Sequence, residues 1–247
     1  MQVQNSIALV TGANRGIGKA FVEALIKSGA QKVYAAARNI ESLHDVVKIA
    51  PDRVFPIALD ITNAQQVATA VPQTQDVNLL INNAGVASMG GLFTDETVGN
   101  AEWEMQTNYF GTLAMMRAYA PILKLNGGGA IANLLSIVSV VGIPAFSSYS
   151  ASKAALHSIT QVARAELASQ NTQVIGVFPG PVDTSMSAGI DLDKIAPIQV
   201  AELTLNAVEN QIEHVYPDPI AQQVFSAVHT PLKDIEQQFA GMLPNAA

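Results

Sequence analysis

Residues 149–153 place a phenol and an ammonium group at helical spacing. Their sequence is YSASK, so Tyr149 and Lys153 stand four positions apart with only small residues between them. Side chains at this spacing share one face of a helix, and a nearby ammonium lowers the pKa of a phenol from its ordinary value of ~10. The pair therefore predicts a proton donor and acceptor, although an ordinary exposed Tyr–Lys pair on an alanine-rich helix gives the same pattern.

A glycine-rich turn lies near the start of the chain. Residues 11–18 read TGANRGIG and follow a short apolar run. Glycines allow a tight turn and a close approach of the backbone to a pyrophosphate, and the helix that follows offers free N–H groups to the anion. Gly12, Gly16 and Gly18 therefore predict a nucleotide site, with a plain strand-to-helix connection as the alternative.

The second predicted strand ends without an acidic residue. A dinucleotide fold that prefers NAD carries an acid there, which binds the ribose 2′-hydroxyl, whereas this chain has Ala37 followed by Arg38. A guanidinium group attracts a 2′-phosphate, and Arg15 supplies a second positive charge. We therefore predict NADP(H) as the cofactor, and the alternative is that both arginines are solvated loop residues.

Short apolar runs alternate with longer helical patterns along the chain. The runs are continuous, as in strands that are covered by helices on both faces, and the repeated β–α units predict an α/β fold with a doubly wound parallel sheet in a single domain. The predicted strands are 6–11, 32–37, 53–59, 77–82, 130–136 and 173–178. The predicted helices are 18–29, 40–49, 63–71, 102–125 and 149–168.

Two segments are less regular and are predicted to cap the site. These are residues 183–200 and 216–247, and the C-terminal stretch from Val215 reads as a short strand followed by an amphipathic helix. No change of composition along the chain indicates a second domain.

Composition excludes several classes of function. The 247 residues are 49% hydrophobic and 13% charged, which is enough apolar material for a core and too little charge for disorder. The net charge of −7 offers no basic surface for nucleic acid. The chain has no cysteine and its four histidines are scattered, so no metal site is predicted. No targeting or membrane-spanning segment is recognisable, which predicts a soluble, cytoplasmic protein.

The motifs occur in an order that is similar to that of one enzyme family. They are TGANRGIG, LD at 59–60, NNAG at 82–85, the Asn of QTNYFGT, Ser136, YSASK, and PGPVDT at 179–184. This set resembles the short-chain dehydrogenase/reductase family in its single-domain branch. The resemblance implies a Rossmann-like fold and a reversible, NADP(H)-dependent reduction of a carbonyl group to an alcohol. A non-catalytic NADP(H)-binding sensor is one alternative, and an epimerase or dehydratase is another.

The resemblance assigns four residues to the chemistry. Tyr149 is the expected general acid–base. Lys153 and the positive oxidised nicotinamide together are expected to lower its pKa, and Lys153 is also expected to bind the nicotinamide ribose. Ser136, thirteen residues before Tyr149, is expected to donate to the substrate carbonyl oxygen, with Ser139 as a competing hydroxyl. Asn108 is expected to hold a water that connects Lys153 to solvent, with a buried bridging role as the alternative.

The remaining motif residues are expected to bind the cofactor. Asp60 resembles the residue that reads the adenine amino group, unless it caps the next helix, and Asn83 resembles a residue that binds the adenosine ribose or joins neighbouring strands. Asp183 is expected to be a loop or capping residue. The predicted cofactor-binding set is Gly12, Asn14, Arg15, Gly16, Ile17, Gly18, Arg38, Asp60, Ile61, Asn83, Ala84, Gly85, Tyr149, Lys153, Pro179, Gly180, Val182 and Thr184.

The substrate and the oligomeric state are more weakly encoded. The helices at 102–125 and 149–168 are rich in Ala, Leu and Met, and such faces commonly pair across a two-fold axis, so we predict a homodimer. Four apolar residues in the predicted pocket segments indicate a hydrophobic ketone or aldehyde as the small-molecule substrate: Met89, Val138, Phe146 and Met186.

Overall fold

A parallel sheet forms the centre of the protein. The computed structural model describes residues 1–94 and 96–227, and within these ranges the sheet has seven strands. They are β1 (Ile7–Thr11), β2 (Lys32–Ala37), β3 (Val54–Ala58), β4 (Leu79–Asn82), β5 (Gly129–Leu134), β6 (Thr172–Val177) and β7 (His214–Val215). Every neighbouring pair is parallel, in the order β3-β2-β1-β4-β5-β6-β7. The winding reverses between β1 and β4, and ligands bind at the carboxyl ends of strands beside such a reversal.

Helices cover both faces of the sheet. Among the described residues they are α1 (Gly16–Lys27), α2 (His44–Val47), α3 (Ala64–Ala70), α4 (Thr97–Glu104), α5 (Thr112–Leu125), α6 (Ser147–Leu167), α7 (Pro197–Asn210) and α8 (Pro219–Ala227). On one face Phe21 and Leu25 of α1 share a core with Val208 of α7. On the other face Met115 and Leu123 of α5 pack in a second core. These two cores make the sheet a rigid support for the loops at its carboxyl edge.

The predicted doubly wound sheet is confirmed, and the six predicted strands agree with β1 to β6 within two residues. The predicted helix at 40–49 is instead a 3₁₀ turn at Ile40–Leu43 followed by the single turn of α2. Helix α7 falls partly in the segment 183–200 that we expected to be irregular. It starts with Pro197 in its first turn, a favoured position for proline, and it buries the apolar residues Val200, Leu205 and Val208.

The predicted helix at 102–125 is longer and not uniform. It begins at Thr97, and residues Met105–Gly111 form a π-helical segment between α4 and α5. Such wide turns are rare and frequent at functional sites, and this one contains Asn108. At the C-terminal end, β7 and α8 agree with the predicted short strand and helix, and residues 228–247 lie outside the described residues.

Candidate active site

One cavity of about 880 Å³ runs along the carboxyl edge of the sheet. The glycine turn after β1 forms part of its wall. Gly12 and Gly16 have φ angles of +64° and +53°, which L-residues with side chains rarely adopt. A Cβ on Gly12 would stand 3.0 Å from the Cα of Ala84. The turn therefore packs tightly on the loop after β4, and it lines the cavity beside the start of α1, where backbone N–H groups bind phosphate.

Gly18 has a different role from the other two glycines. It does not line the cavity, and a Cβ there would overlap the Gly12 carbonyl oxygen and lie 2.6 Å from Nδ2 of Asn83. Gly18 thus packs α1 against the turn that does line the cavity, and its predicted contact with the cofactor stays a prediction.

Asn83 ties β1 to the loop that follows β4. Its Nδ2 donates to the carbonyl oxygens of Thr11 at 2.9 Å and Gly12 at 3.1 Å, and its own N–H donates to Thr11 Oγ1 at 3.0 Å. The Ala84 N–H also donates to Thr11 Oγ1, at 3.0 Å. Asn83 thus joins neighbouring strands, one of the two roles predicted for it, while it also lines the cavity.

Two arginines lie at the far end of the cavity. Arg15 and Arg38 line it and are exposed, and neither forms an ion pair with a residue in the described ranges. Asn39 and Ser42 line the same end. These two guanidinium groups can therefore approach an anion without breaking an existing pair.

Asp60 lines the cavity and does not cap a helix. Its Oδ1 accepts hydrogen bonds from the Thr62 N–H at 2.9 Å and the Thr62 hydroxyl at 2.7 Å. The cap of α3 is Asn63, whose Oδ1 accepts from the N–H groups of Gln65 and Gln66. The capping alternative for Asp60 is therefore wrong.

Tyr149 and Lys153 lie one turn apart on α6 and both line the cavity. The Lys153 side chain is buried, and its Nζ donates to the Leu134 carbonyl oxygen at 2.7 Å. The same Nζ lies 5.7 Å from the centroid of the Tyr149 ring. The YSASK spacing thus puts both side chains on one helix face, as predicted, and the solvated-pair alternative does not describe this buried lysine.

In the protein without its cofactor, the pKa of the Tyr149 phenol is not lowered. Burial raises the pKa of Tyr149 above its ordinary value, the Ser136 hydroxyl offsets part of this rise, and the charge of Glu104 adds to it. Burial also lowers the pKa of Lys153 to about 8. The protein groups alone therefore do not lower the pKa of Tyr149, because burial outweighs the Ser136 hydroxyl and Lys153 donates to the Leu134 carbonyl oxygen. The lowering expected with the oxidised nicotinamide bound stays a prediction.

Ser136 is the serine that reaches the cavity. Its hydroxyl donates to the Pro179 carbonyl oxygen at 3.4 Å, and Val138 N–H donates to its Oγ at 3.4 Å. Ser139 is buried behind it and accepts a bond from the Ser136 N–H at 3.1 Å. The structure thus separates the two candidates: Ser136 lines the cavity and Ser139 supports the turn.

Asn108 does not line the cavity. It is fully buried. Its Oδ1 accepts a hydrogen bond from the Val86 N–H at 2.9 Å, and its Nδ2 donates to the Val86 carbonyl oxygen at 2.8 Å. Its Nδ2 also donates to Ser152 Oγ at 2.9 Å. The bridging alternative describes this geometry: Asn108 joins the loop after β4 to α6, and the water-holding role stays a prediction.

Sequence reasoning missed two buried carboxylates beside the cavity. Glu104 accepts bonds from the N–H and hydroxyl of Ser88 at 2.6 and 2.7 Å, and its Oε2 has no partner among the described residues. Asp218 is 5% exposed and accepts a bond from the Gly180 N–H at 2.7 Å. Only Asp218 had a detectable signal, since Asp followed by Pro is typical of a helix start; nothing in the sequence marks Glu104.

The other end of the cavity is apolar. The four predicted lining residues Met89, Val138, Phe146 and Met186 all contribute to it. So do Ile190, Leu192 and Ile220, from the two segments predicted to cap the site. The charged residues that line the described cavity are Arg15, Arg38, Asp60 and Lys153, so its apolar end carries no charged side chain. Asp183 does not line this cavity and is exposed.

The described residues form neither a metal site nor a membrane-spanning helix. No group of three His, Cys, Asp or Glu residues there is close enough to hold a metal ion; of the four histidines, His229 lies outside them. None of the helices described is both long enough and apolar enough to span a membrane.

Comparison with known proteins gives the family. Residues 6–194 match the family model described as short chain dehydrogenase. The chain belongs to the short-chain dehydrogenase/reductase family. An uncharacterized oxidoreductase of Staphylococcus aureus (strain MW2) is 34% identical over 219 residues, which cover 85% of this chain and 94% of the relative. This oxidoreductase therefore shares its family with curated relatives over nearly their whole length.

Two solved structures are similar over nearly the whole chain. A short chain dehydrogenase from Burkholderia cenocepacia J2315, in complex with NADP, is 44% identical with a TM-score of 0.91, over 97% of this chain and 99% of that one. A short chain dehydrogenase/reductase from Burkholderia phymatum, in complex with NAD, has a TM-score of 0.84 over the full length of both chains. Because the second structure is only 23% identical, it shows that the two chains share a fold and no more.

Proposed function

We propose that this oxidoreductase uses NADPH to reduce an apolar ketone or aldehyde to an alcohol, reversibly, with Ser136, Tyr149 and Lys153 as the catalytic residues at the cavity. Asn108, behind the cavity wall, completes the catalytic group by holding a water that connects Lys153 to solvent. The observation that carries the proposal is one continuous cavity. It joins the glycine turn to a centre formed by Ser136, Tyr149 and Lys153, and continues into an apolar end.

The residues at the first end fit a dinucleotide. Gly12 lines the cavity with a positive φ angle that favours glycine, and the adjacent start of α1 favours an anion. Asp60 and Ile61 would hold the adenine, and Val182 and Thr184 the nicotinamide amide. When bound, NADPH supplies a hydride.

The chain's own residues supply the proton and polarise the substrate. Ser136 donates a hydrogen bond to the carbonyl oxygen, which stabilises the negative charge that develops there. Tyr149 gives that oxygen its proton. The raised pKa keeps the hydroxyl protonated but makes it a weaker acid, so the proton moves only as negative charge develops on the substrate oxygen. Lys153 remains mostly protonated at neutral pH with a pKa of about 8, and it can return a proton to Tyr149.

The preference for NADPH over NADH rests on charge. Arg15 and Arg38 are exposed at the cavity end that would hold the adenosine ribose, and a guanidinium binds a phosphate group with charge-assisted hydrogen bonds. No acidic residue ends β2, since Ala37 is its last residue. The similar Burkholderia cenocepacia structure contains NADP, which supports the same preference.

The substrate class rests on the lining of the other end. Since no described residue that lines this end is charged, a substrate with a carboxylate or ammonium beside its carbonyl group would lose solvation without gaining a partner among them. An uncharged, apolar carbonyl compound is therefore the proposed substrate.

Fluorescence titration with NADPH and NADH, followed by absorbance assays with a panel of ketones and aldehydes, tests this function. We expect tighter binding of NADPH and NADPH oxidation that depends on an apolar carbonyl compound. Tight NADPH binding without turnover on any compound would contradict the reductase and favour the sensor.

We also propose a cytoplasmic homodimer. Exposed apolar side chains lie on the helices predicted to pair, with Phe110 51% and Val162 52% exposed, and exposed apolar patches mark contact surfaces. Light scattering on the purified protein tests this: a dimer mass is expected, and a monomer mass at micromolar concentration would contradict it.

A further inference from the structure

Both polar groups of the peptide between Pro179 and Gly180, its carbonyl oxygen and its N–H, form hydrogen bonds. Its carbonyl oxygen accepts hydrogen bonds from the Ser136 hydroxyl at 3.4 Å and from the Ile137 N–H at 3.1 Å. Its N–H donates to Oδ2 of Asp218 at 2.7 Å. One peptide plane therefore connects a serine of the cavity to a carboxylate that lies outside the cavity wall.

Asp218 makes a second bond, at the start of helix α8. Its Oδ1 accepts from the Ala221 N–H at 2.9 Å. A helix cap alone is served by Ser, Thr or Asn. Two N–H donors on separate side-chain oxygens require a carboxylate, because an amide has one acceptor oxygen.

Burial of the Asp218 carboxylate lowers the stability of the fold unless its hydrogen bonds compensate. Asp218 is 5% exposed and has no ion pair with a described residue, and a buried carboxylate without a cation lowers stability. It also lies against the loop: a Cβ on Gly180 would stand 2.7 Å from its Oδ1. The side chain thus packs directly on Gly180 while it bonds to both Gly180 and Ala221.

The geometry points to Asp218 as a positioning residue that holds the Pro179–Gly180 peptide and, through it, the hydroxyl of Ser136. A carboxylate on the N–H polarises a peptide and strengthens its carbonyl oxygen as an acceptor. The carbonyl oxygen then sets the direction of the single Ser136 proton until a substrate oxygen takes it. Because Ile220 of α8 lines the cavity, Asp218 also links the capping helix to the catalytic serine. This inference rests on the proposed function.

A double-mutant cycle of Asp218→Asn with Ser136→Ala tests the connection. If Asp218 acts through Ser136, Asp218→Asn should lower kcat ~10-fold in the otherwise native protein. In a protein that already carries Ser136→Ala, the same substitution should lower kcat less than ~2-fold. The KM for NADPH should stay within ~2-fold in both. Asp218→Ser keeps a capping oxygen for α8 and loses the Gly180 bond, so the same pattern is expected from it. Equal kcat losses in both backgrounds would overturn the inference.

Asn78→Ala is the matched control for a lost side-chain-to-backbone bond. Its Oδ1 accepts from the Ile7 N–H at 2.9 Å, at the opposite edge of the sheet, and its effect should be the same with and without Ser136→Ala. A dependence on Ser136 as strong as that of Asp218 would show that the cycle reports general loosening, and would overturn the inference.

Amide hydrogen exchange gives a readout without turnover. Asp218→Asn should speed exchange of the Gly180 and Ile137 amides ~10-fold or more and leave the Ile7 amide unchanged. Unchanged exchange at Gly180 and Ile137 would overturn the inference. If the native protein reduces no carbonyl compound, the proposed function fails, while exchange still decides whether Asp218 holds this peptide.

Discussion

The residues at the two ends of the cavity are positioned by different kinds of contact. At the glycine turn, side chains bond to backbone atoms of a neighbouring strand, as Asn83 does to Thr11 and Gly12. At the apolar end, the lining side chains Met89 and Met186 are 62% and 53% exposed. Hydrogen-bonded and tightly packed groups depend on their partners, whereas apolar contacts of similar size replace one another at small cost. Substitutions should therefore have steep effects towards the cofactor and shallow ones towards the substrate.

The largest effect is expected where the two ends meet. Tyr149→Phe removes the proton donor, and kcat should fall ~10³-fold or more, since positioned acid–base groups contribute ~10²–10⁴-fold. The Kd for NADPH should change less than ~3-fold. Steady-state assays and fluorescence titration measure both. Tyr109→Phe, which removes a hydroxyl outside the cavity, is the control, and a Tyr149→Phe protein as active as this control would break the comparison.

A single methyl group at the glycine turn should weaken cofactor binding. Gly18→Ala forces a Cβ to within 2.6 Å of Asn83 Nδ2, and overpacking of this kind costs ~1–3 kcal/mol. We expect the Kd for NADPH to rise ~10–100-fold. Calorimetric titration checks this against Gly99→Ala, whose Cβ meets no atom within 4 Å. Equal Kd values in the two variants would contradict the packing role.

Charge at the adenosine end should discriminate between the two cofactors. Arg38→Ala is expected to raise the Kd for NADPH ~10–100-fold, because a charge-assisted pair with phosphate is lost. The Kd for NADH should stay within ~3-fold. Arg117→Ala removes an exposed charge away from the cavity and controls for net charge. Parallel losses for both cofactors would remove Arg38 from the 2′-phosphate site.

Burial of Lys153 should make stability depend on pH. Its pKa is about 8 in the folded protein and 10.5 ordinarily, so between these values the unfolded chain binds more protons and stability rises with pH. From about pH 7.5 to about pH 9.5, the free energy of unfolding of the cofactor-free protein should rise by about 2 kcal/mol relative to Lys153→Met. Urea titrations at both pH values measure it. A difference that does not change with pH would mean that the ammonium is solvated.

The smallest effect is expected at the apolar rim. Met186→Ala should raise the KM for an apolar ketone less than ~10-fold and leave kcat and the Kd for NADPH within ~2-fold, because the half-exposed side chain contributes only part of its transfer free energy. Leu203→Ala, an exposed apolar residue outside the cavity, is the control. A loss at Met186 as large as that at Gly18 would show that the two ends are equally demanding.

The sequence predicted the parts of the fold and site that depend on local chemistry. The continuous apolar runs predicted the strands, and the glycine turn and YSASK predicted the cavity-lining Gly12 and the buried Lys153. These signals are local, since φ angles and helical spacing are set by neighbouring residues. The strand bounds predicted from such signals agree with the structure within two residues.

The parts that the sequence did not predict depend on contacts between distant segments. The buried bridging role of Asn108 was one of its two predicted roles, but its partner Val86, 22 residues away, was not predicted. The π-helical segment around it follows from such contacts and not from helix propensity. Burial raises the pKa of Tyr149, which spacing to Lys153 alone did not indicate. The bond from Gly180 to Asp218 spans 38 residues and has no sequence pattern that predicts it.

Single-turnover oxidation of protein-bound NADPH tests the central claim most directly. The protein is loaded with one equivalent of NADPH and mixed with an apolar ketone, and loss of nicotinamide absorbance is compared with the amount of alcohol formed. The account predicts one alcohol for each NADPH oxidised, and no oxidation in Tyr149→Phe with NADPH still bound. Bound NADPH that stays reduced in the native protein with every ketone and aldehyde would contradict it.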